Sequence, residues 1–551
     1  MNRVFRSSHA VSLGVLALFA AALASACTLS TNGTDDDGRG GQGGQAGGAP
    51  SPCTPGTKRD CYTGPSGTSG KGICVGGTQT CNDDGLGFGE CVGEVVPRPE
   101  DCTTADIDED CDGEALGCAG DPAAVGSTGN SADTTDEVGF GVATNGTMHV
   151  VVGVKGANLT SFGVTDGELY VARFDDALKV VWEKPYASSG GYAVGRAVAL
   201  DAMGNIVVAG EFKGSLTIED KTLQSGGSVD VFVAKFTPDG ALLWASEYGD
   251  DANNQVAYGV AVNEGGEVFV TGYVDGSIDF GKGPLEADGR DVFVAKIGPD
   301  GDGAGADKWA KLLDGSDDQI GWGIAAGTDG SVVVTGDFEI ELDYGGGALT
   351  SKGGHDVFVV KLSSGDGSTL WQKALGDAAD QYAYGVSVGA NGHVAVGGQF
   401  WGTIDAGGGM TIDAASGSDA FVIDLAADGM PRWIRSFGDS GDEHCETVAM
   451  DASGQVLMLG HFDGSFPLGS SPLQSTGKND IYVAKLAASD GAPIWSHSFG
   501  NGDEQRGWSV AADPQGNTLA TGAFEGTVNF EPGGSVTSTG EYDLFLLELA
   551  P

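Results

Sequence analysis

Basic side chains are scarce in this chain of 551 residues. Its 28 Lys and Arg stand against 77 Asp and Glu, which gives a formal net charge of −49. A protein without a basic patch cannot replace the counterions of nucleic-acid phosphates, so nucleic acid is excluded as a partner. The charge also disfavours an anionic membrane surface and leaves divalent cations or basic proteins as partners. The simpler explanation is that the acids keep an external protein soluble.

The sequence has no run of 18 apolar residues, so no membrane-spanning helix is predicted. An apolar run of 13 residues, 11–23, follows Arg3 and Arg6 and is typical of a signal peptide over residues 1–26. Its ending, Ala24-Ser25-Ala26-Cys27, resembles the lipobox of bacterial lipoproteins. The resemblance implies lipidation of Cys27 and a place on the outer membrane or cell surface. Ala24 departs from the usual Leu or Val, so plain secretion is the alternative.

Enzyme signatures are also missing. HExxH, GxSxG and GxxxxGK[ST] do not occur, and most histidines are scattered singly. His444-Cys445-Glu446 is the one cluster of reactive residue types. Adjacent strand residues point to opposite faces, so Cys445 is expected to be a buried spare thiol. No catalytic residue is predicted.

Cysteine is concentrated in one segment, which follows a Gly- and Asp-rich stretch, 27–52, that reads as a flexible tether. Residues 53–120 contain few large apolar side chains, so a folded domain there needs covalent support. The sequence predicts a disulfide-stapled module with four bridges, whose pairing is open. Its cysteines are Cys53, Cys61, Cys74, Cys81, Cys91, Cys102, Cys111 and Cys118.

The end of this module offers carboxylates at alternate positions, Asp108, Asp110 and Asp112, before Gly113. Such spacing lets a short loop place oxygen ligands around Ca²⁺. Ala119 stands where the full loop needs a bidentate Glu, so the match is partial and a solvated acidic turn is the alternative. The segment from Cys53 to Gly113 resembles a Cys-rich module of myxobacterial surface proteins. That family is named for metal binding, which the resemblance therefore implies here.

From residue 121 onward one pattern of about 62 residues recurs seven times. Segments like DVFVAK begin at residues 168, 230, 291, 356, 419, 480 and 543, and six of them are followed by a Trp. β-Branched and aromatic residues separated by turn signals divide each repeat into four strands, a to d. The pattern predicts an all-β, seven-bladed β-propeller of four-stranded blades over 121–551. The repeats resemble the bacterial β-propeller repeat family, which implies a fold and no defined chemistry.

The last repeat stops after strand c, at residues 543–549. Residues 122–129 precede the first strand a and share the Gly-x-x-x-Asp linker that follows other d strands. We expect them to supply the missing strand d, with Ala124 at the position of the recurring Trp. Pairing with 543–549 would leave no open edge.

Strand a should be innermost, and one position at its start forms a ring near the channel mouth. Core packing is the favoured interpretation for its aromatic members, whereas Arg196 and Glu446 are expected to contact water. The d-strand Trp residues are expected to pack between blades. The ring residues are Phe140, Arg196, Tyr258, Trp322, Tyr384, Glu446 and Trp508.

The loops from strand d to strand a carry many carboxylates, which favours Ca²⁺ or a basic protein at that face. Taken together, the sequence predicts a surface-exposed lipoprotein that acts as a binding or adhesion scaffold. Its partner is expected to be a protein or a glycan, and the membrane contact is the lipid alone. The alternative is an extracellular enzyme at the channel mouth. The loop acids are Asp133, Asp136, Asp250, Asp251, Asp317, Asp318, Asp377, Asp380, Asp439, Asp442 and Asp503.

Overall fold

In the computed structural model the chain forms two compact units, one within residues 23–121 and one over Pro122–Pro551. Strands and turns make up the described residues, and none of these forms a helix long and apolar enough to cross a membrane. The structure describes residues 53–64, 68–71, 73–97, 120–127, 135–157, 159–160, 163–164, 166–226, 228–250, 252–301, 308–439, 441–469, 471–530 and 532–551.

The smaller unit contains a short antiparallel pair, Lys58–Cys61 with Gly77–Thr80. Disulfides join Cys53 to Cys81 and Cys61 to Cys91, which confirms disulfide stapling for these four residues. Cys74 is disulfide-bonded as well. The other predicted bridge residues, Cys102, Cys111 and Cys118, lie outside the described residues.

Among the described residues, the larger unit has seven sheets built on four antiparallel strands. We call these sheets blades 1 to 7 and name their strands a to d in the order in which they pair. This is also chain order except in blade 7, whose strand d is Pro122–Ser127. The bounds, blade by blade, are Asp136–Thr144, His149–Ala157, Glu168–Phe174 and Val180–Tyr186; Ala193–Leu200, Ile206–Phe212, Asp230–Phe236 and Leu242–Tyr248; Gln255–Val262, Val268–Ile278, Leu285–Ile297 and Trp309–Ser316; Gln319–Ala326, Ser331–Phe338, Asp356–Ser363 and Thr369–Leu375; Gln381–Val388, Val394–Phe400, Asp419–Leu425 and Pro431–Phe437; Glu443–Met450, Val456–Phe462, Asp480–Leu486 and Pro493–Phe499; and Gln505–Ala512, Thr518–Phe524, Asp543–Leu549 and Pro122–Ser127.

Short strands decorate the segments between strands b and c, and in blade 3 strands b and c themselves extend to form this hairpin. Elsewhere the short pairs are Leu159–Thr160 with Gly163–Val164, Ser215–Ile218 with Lys221–Gln224, Glu341–Asp343 with Leu349–Thr350, Thr403–Gly407 with Met410–Asp413, Ser465–Phe466 with Leu473–Gln474, and Thr527–Asn529 with Ser535–Thr537; Ser188–Ser189 adds a strand beside Ser215–Ile218.

Each strand a contacts the strands a of the two neighbouring blades, and the contacts return from blade 7 to blade 1. Strand a is therefore innermost in a closed ring. Strands a, b and c are almost wholly buried, because apolar side chains of each blade pack on those of the next. The fold is an all-β propeller, which confirms the predicted fold class.

Blade 7 takes its strand d from residues far away in the sequence. Pro122–Ser127 pairs antiparallel with Asp543–Leu549, from Pro122 opposite Leu549 to Ser127 opposite Phe545. Ala124 lies opposite Glu548, in the same register in which Trp182 lies opposite Arg173. The c strand of blade 7 therefore has no open edge.

The tryptophans of strand d join each blade to the next, as expected from the sequence. In five of the six, the indole N–H donates to a backbone carbonyl in the c–d turn of the following blade, where a glycine with positive φ lies under the ring. Trp495 is the exception, because its buried indole N–H has no hydrogen-bond partner among the described residues. At Gly367, with φ +68°, a Cβ would stand 2.7 Å from Trp309 Cε3, so only glycine fits. The donor and acceptor pairs are Trp182 with Pro238, Trp244 with Pro299, Trp309 with Ser364, Trp371 with Ala427 and Trp433 with Ala488, at 2.9–3.2 Å.

The junction between blades 7 and 1 uses a different pair. Ala124 replaces the Trp, and Leu178 stands where the other c–d turns have glycine, at a φ of 52°. Leu178 is buried in the apolar cluster on which Ala124 packs. Ala124 is smaller than Trp, and the larger side chain of Leu178 in the facing c–d turn fills the volume that a Trp would occupy.

Candidate functional site

The seven ring residues share one backbone feature. In every blade the pairing of strand a with strand b shifts register at this position, so the ring residue is the extra residue of a β-bulge. A bulge turns a side chain away from the regular alternation of the strand. The ring is therefore aimed at the central axis by the backbone.

The ring side chains contact each other around the axis. The Arg196 guanidinium lies 4.8 Å from the ring centroid of Phe140 and 5.8 Å from that of Tyr258. Tyr258 and Trp322 follow at 4.4 Å between centroids, and Phe140 and Trp508 at 5.6 Å. All seven members are buried, so the expectation that Arg196 and Glu446 contact water is wrong: they are 2% and 0% exposed.

Burial is possible because the polar ring residues have partners on strand b, a feature that the sequence analysis missed. Arg196 donates to both carboxylate oxygens of Glu211, with Nε to Oε2 at 3.0 Å. Trp322 donates to Asp337, and Tyr384 accepts from Gln399. Each partner follows its ring residue by 15 positions, within Gly-x-Phe segments such as GEF, GDF and GQF. This constant spacing could have identified the partners from the sequence.

Charge on the ring is stabilised by these pairs. Burial acts to lower the pKa of Arg196, but the Glu211 carboxylate outweighs it and raises this pKa above its usual value. A charged group also adjoins the pair Trp322 and Asp337. His355 Nδ1 lies 2.8 Å from Asp337 Oδ2, and His355 Nε2 lies 2.8 Å from Glu339 Oε1. Although burial lowers the pKa of His355, its hydrogen bond to Asp337 and the nearby carboxylates raise it to about 9. His355 is therefore charged at neutral pH.

Blade 6 carries a group of metal-ligating side chains, in which the ring residue Glu446 is flanked by His444 and His461. The Oε1 of Glu446 lies 3.9 Å from Nδ1 of His444 and 3.6 Å from Nδ1 of His461. Burial lowers the pKa of His444 to about 4 and holds that of His461 well below its usual value, so both imidazoles are neutral. One atom from each of the three lies within 4.8 Å of the others, which is compatible with a metal ion.

The two imidazoles are stacked, with centroids 4.6 Å apart and planes 16° from parallel. Because the lone pair of a ring nitrogen lies in the ring plane, parallel rings do not both point at one ion. A metal would need one ring to turn, and His444 is the less buried of the two. Cys445 lies on the opposite face as a buried free thiol, and burial raises its pKa to about 12. It is the inert spare thiol expected from the sequence.

The loop acids divide into structural and exposed groups. Asp250 accepts from the N–H of Ser277, and Asp377 from that of Thr403, so they fasten the d–a loops to the b–c segments. Asp136 is buried; Asp380, Asp439 and Asp503 are half-buried; and Asp317, Asp318 and Asp442 are exposed. The predicted site residues outside the described residues are Cys27, Asp108, Asp110, Asp112, Asp133 and Asp251.

A second recurring position, also missed, begins strand a three residues before the ring. It is a buried Gln in blades 3, 4, 5 and 7 and Glu443 in blade 6. Gln381 shows its role: its Oε1 accepts from the N–H of Asp377, while its Nε2 donates to Asp377 Oδ1 and to the carbonyl of Trp401. The amide thus ties the d–a loop to the end of strand b.

The fold and the ring define a β-propeller whose ring residues on strand a are buried against one another. No family model matches the chain, and no curated protein matches it. The resemblances to the bacterial β-propeller repeat family, the lipoprotein signal and the Cys-rich module therefore stay predictions.

Solved structures with a similar fold include three β-propeller-type proteins. The Pan2 WD40 domain of Neurospora crassa is 10% identical, with a TM-score of 0.40 over 78% of this chain and 95% of its own. Quinohemoprotein alcohol dehydrogenase from Comamonas testosteroni is 11% identical, with a TM-score of 0.40 over 77% and 76%. Sqt1 from Chaetomium thermophilum is 13% identical, with a TM-score of 0.38 over 78% and 99%. This likeness concerns the fold alone.

Proposed function

We propose that the chain is an exported, lipid-anchored, seven-bladed propeller that binds a basic protein surface through its d–a and b–c loops. The observation that carries this proposal is the filled ring. Because the seven ring side chains are buried against each other, the axis offers little room for a ligand, and the loops around it are the available surface. Loops held on a rigid scaffold are the usual place of binding.

The charge of these loops supports a basic partner. Exposed carboxylates lie on both loop types, at Asp317, Asp318 and Asp442 in d–a loops and at Asp288 and Asp463 in b–c segments. Complementary charge across an interface speeds association and selects the partner. The hydrogen bonds from Asp250 and Asp377 to the b–c segments hold the loops before binding, which lowers the entropic cost.

The proposed cellular location is based on the predicted features of the N-terminal segment. In this proposal Cys27 carries the lipid, residues 28–52 act as a tether, and the disulfide module is a spacer. A tether of this length has a reach of roughly 25–30 Å. The loop face would then be presented to partners beyond the membrane surface.

Charge reversal on one face tests the proposal. Asp317→Lys with Asp318→Lys should reduce cross-linking of the protein to its partner on living cells. Asp239→Lys with Asp300→Lys makes the same charge change on exposed c–d turns at the other end of the blades and should leave cross-linking unchanged. Equal capture by both variants, or capture of a glycan without protein, would overturn the proposal.

A second candidate function rests on His444, Glu446 and His461. Two imidazoles and a carboxylate are a common ligand set for a catalytic transition metal, so an enzyme at this end of the axis is the alternative. It requires stoichiometric metal in the native protein that is lost in His461→Phe. Metal analysis of the wild-type protein that finds none would remove this candidate.

A further inference from the structure

The buried Gln at the start of strand a provides a reference for blade 6. In blade 3, Gln255 Nε2 donates to the carbonyl of Asp275 at 2.9 Å. In blade 7, Gln505 Nε2 donates to Asn501 Oδ1 at 2.8 Å and to the carbonyl of Glu525 at 3.2 Å. Gln381 and Gln505 thus place an NH₂ group between a loop side-chain oxygen and the carbonyl that follows strand b, and Gln255 makes the second of these contacts.

Blade 6 has the acceptors without the donor. Asp439 occupies the place of Asp377, and Asp463 that of Trp401, but Glu443 replaces the Gln. Glu443 is 0% exposed, and neither of its carboxylate oxygens has a hydrogen-bond partner. Burial together with Asp419, Asp439 and Asp463 raises the pKa of Glu443 to about 8. Carboxylate oxygens of Glu443 therefore lie where blades 5 and 7 have the N–H groups of Gln381 and Gln505.

Two glycines border the space around this carboxylate. A Cβ on Gly438 would lie 2.5 Å from Asp419 Oδ1 and 2.6 Å from Glu443 Oε2. A Cβ on Gly441 would lie 2.6 Å from the Asp463 carbonyl oxygen, 2.7 Å from Asp463 Oδ1 and 2.8 Å from Glu443 Oε1. The two Glu443 oxygens thus face separate groups of oxygens, with Asp419 on one side and Asp463 on the other, and neither glycine has room for a side chain.

We propose that Ca²⁺ binds in this pocket, held by the carboxylates of Glu443, Asp419, Asp439 and Asp463 and by the Asp463 carbonyl. Ca²⁺ takes six to eight oxygen ligands in flexible geometry, and mixed carboxylates and carbonyls suit it. Asp419 and Glu443 are buried, whereas Asp439 is half-buried and Asp463 exposed, so the ion has a path from solvent and room for water ligands. The ion replaces the missing NH₂ group, because it joins the d–a loop to the end of strand b.

A proton on Glu443 is the competing occupant, since it would relieve the repulsion without an ion. It supplies one donor hydrogen, whereas the amides of Gln381 and Gln505 use two. The two occupants give different metal counts at neutral pH, and this difference decides between them. The inference does not rest on the proposed partner, because calcium binding is measured on the protein alone.

The test is the number of Ca²⁺ ions bound per full-length chain, measured by equilibrium dialysis after treatment with a chelator. Glu443→Gln installs the residue of blades 3, 4, 5 and 7 and should bind one ion fewer than the wild type. Asp239→Asn, on a fully exposed c–d turn, should bind as many as the wild type. Any ion in the Cys-rich module is present in all three proteins and cancels.

Thermal unfolding gives an independent readout. Without Ca²⁺, Glu443→Gln should melt higher than the wild type because its amide supplies N–H groups to the facing oxygens, and Ca²⁺ should raise its melting temperature less. Asp463→Asn, at an exposed position, should weaken the Ca²⁺ response without affecting folding. Equal ion counts and equal Ca²⁺ responses in the wild type and Glu443→Gln would overturn the inference and leave the proton as the occupant.

Discussion

Arg196 and Glu211 illustrate how single residues keep charge inside this propeller. Both side chains are almost fully buried and are joined by two hydrogen bonds. A buried pair contributes modest net stability, but loss of one partner leaves the other charge buried and unpaired.

Replacement of one partner should therefore cost more than replacement of both. Arg196→Met is expected to lower the free energy of unfolding by about 3–5 kcal/mol, and the double change Arg196→Met with Glu211→Leu should recover most of the loss. Denaturant unfolding of the four proteins of this cycle measures the coupling. Additive losses would show that the pair does not act as described.

His355 gives a pH-dependent contribution. Its folded-state pKa of about 9, raised by Asp337, Glu339 and Asp380 against burial, lies above the unfolded value of 6.5. The contribution is therefore complete below pH 6.5 and lost as the pH rises through about 9. His355→Gln should flatten the decline in stability across this window in thermal unfolding at constant ionic strength. An unchanged pH profile would contradict the charged state of His355.

Residue-level prediction from the sequence succeeded in part. The ring positions were recognisable because one register recurs in every repeat, and Cys445 was recognised as a spare thiol. The exposure of Arg196 and Glu446 was mispredicted because their partners, Glu211 and His461, lie on another strand. Charge alone does not reveal a partner until strand pairing is known.

At the level of elements, the c–d turns and d strands form the joints between blades. Gly367 and Gly345 both have positive φ, but only Gly367 lies against a tryptophan. The repeating Trp was visible in the sequence, whereas the glycine under it depends on the geometry of the neighbouring blade. The start of strand a was placed three residues late, at Tyr258 instead of Gln255, because the bulge interrupts the alternation.

The two glycines make a matched pair for a test. Gly345→Ala, with nothing within 4 Å of its Cβ, should cost about 1–2 kcal/mol for the left-handed backbone alone. Gly367→Ala should lose a further 1–3 kcal/mol or so, because its Cβ collides with Trp309. Chemical denaturation of both variants gives the difference, and equal losses would contradict the packing role of the turn.

At the level of the whole molecule, closure depends on one seam, between blades 7 and 1. Here Ala124 and Leu178 replace the Trp and Gly of the five junctions from blade 1 to blade 6. The closing strand could be proposed from the sequence because its linker resembles those after other d strands. The compensating Leu178 could not, because it lies in the neighbouring repeat.

Conversion of the seam to the common pair should reveal this compensation. Ala124→Trp alone should destabilise by collision with Leu178, and Leu178→Gly alone by loss of buried volume, at about 2–5 kcal/mol for the latter. The double variant should be more stable than the sum of the two losses predicts. Additive losses in thermal unfolding would contradict the exchange of volume across the seam.

The most direct measurement compares two chains that end at 551 and begin at residue 121 or at residue 131. The longer chain keeps the strand that pairs with Asp543–Leu549 and should be monomeric with one cooperative transition. The shorter chain exposes that apolar edge and should melt earlier and self-associate. Light scattering and calorimetry on both chains supply the result. If both chains behave alike, the ring is not closed by residues 122–127, and the account of the fold is wrong at its central point.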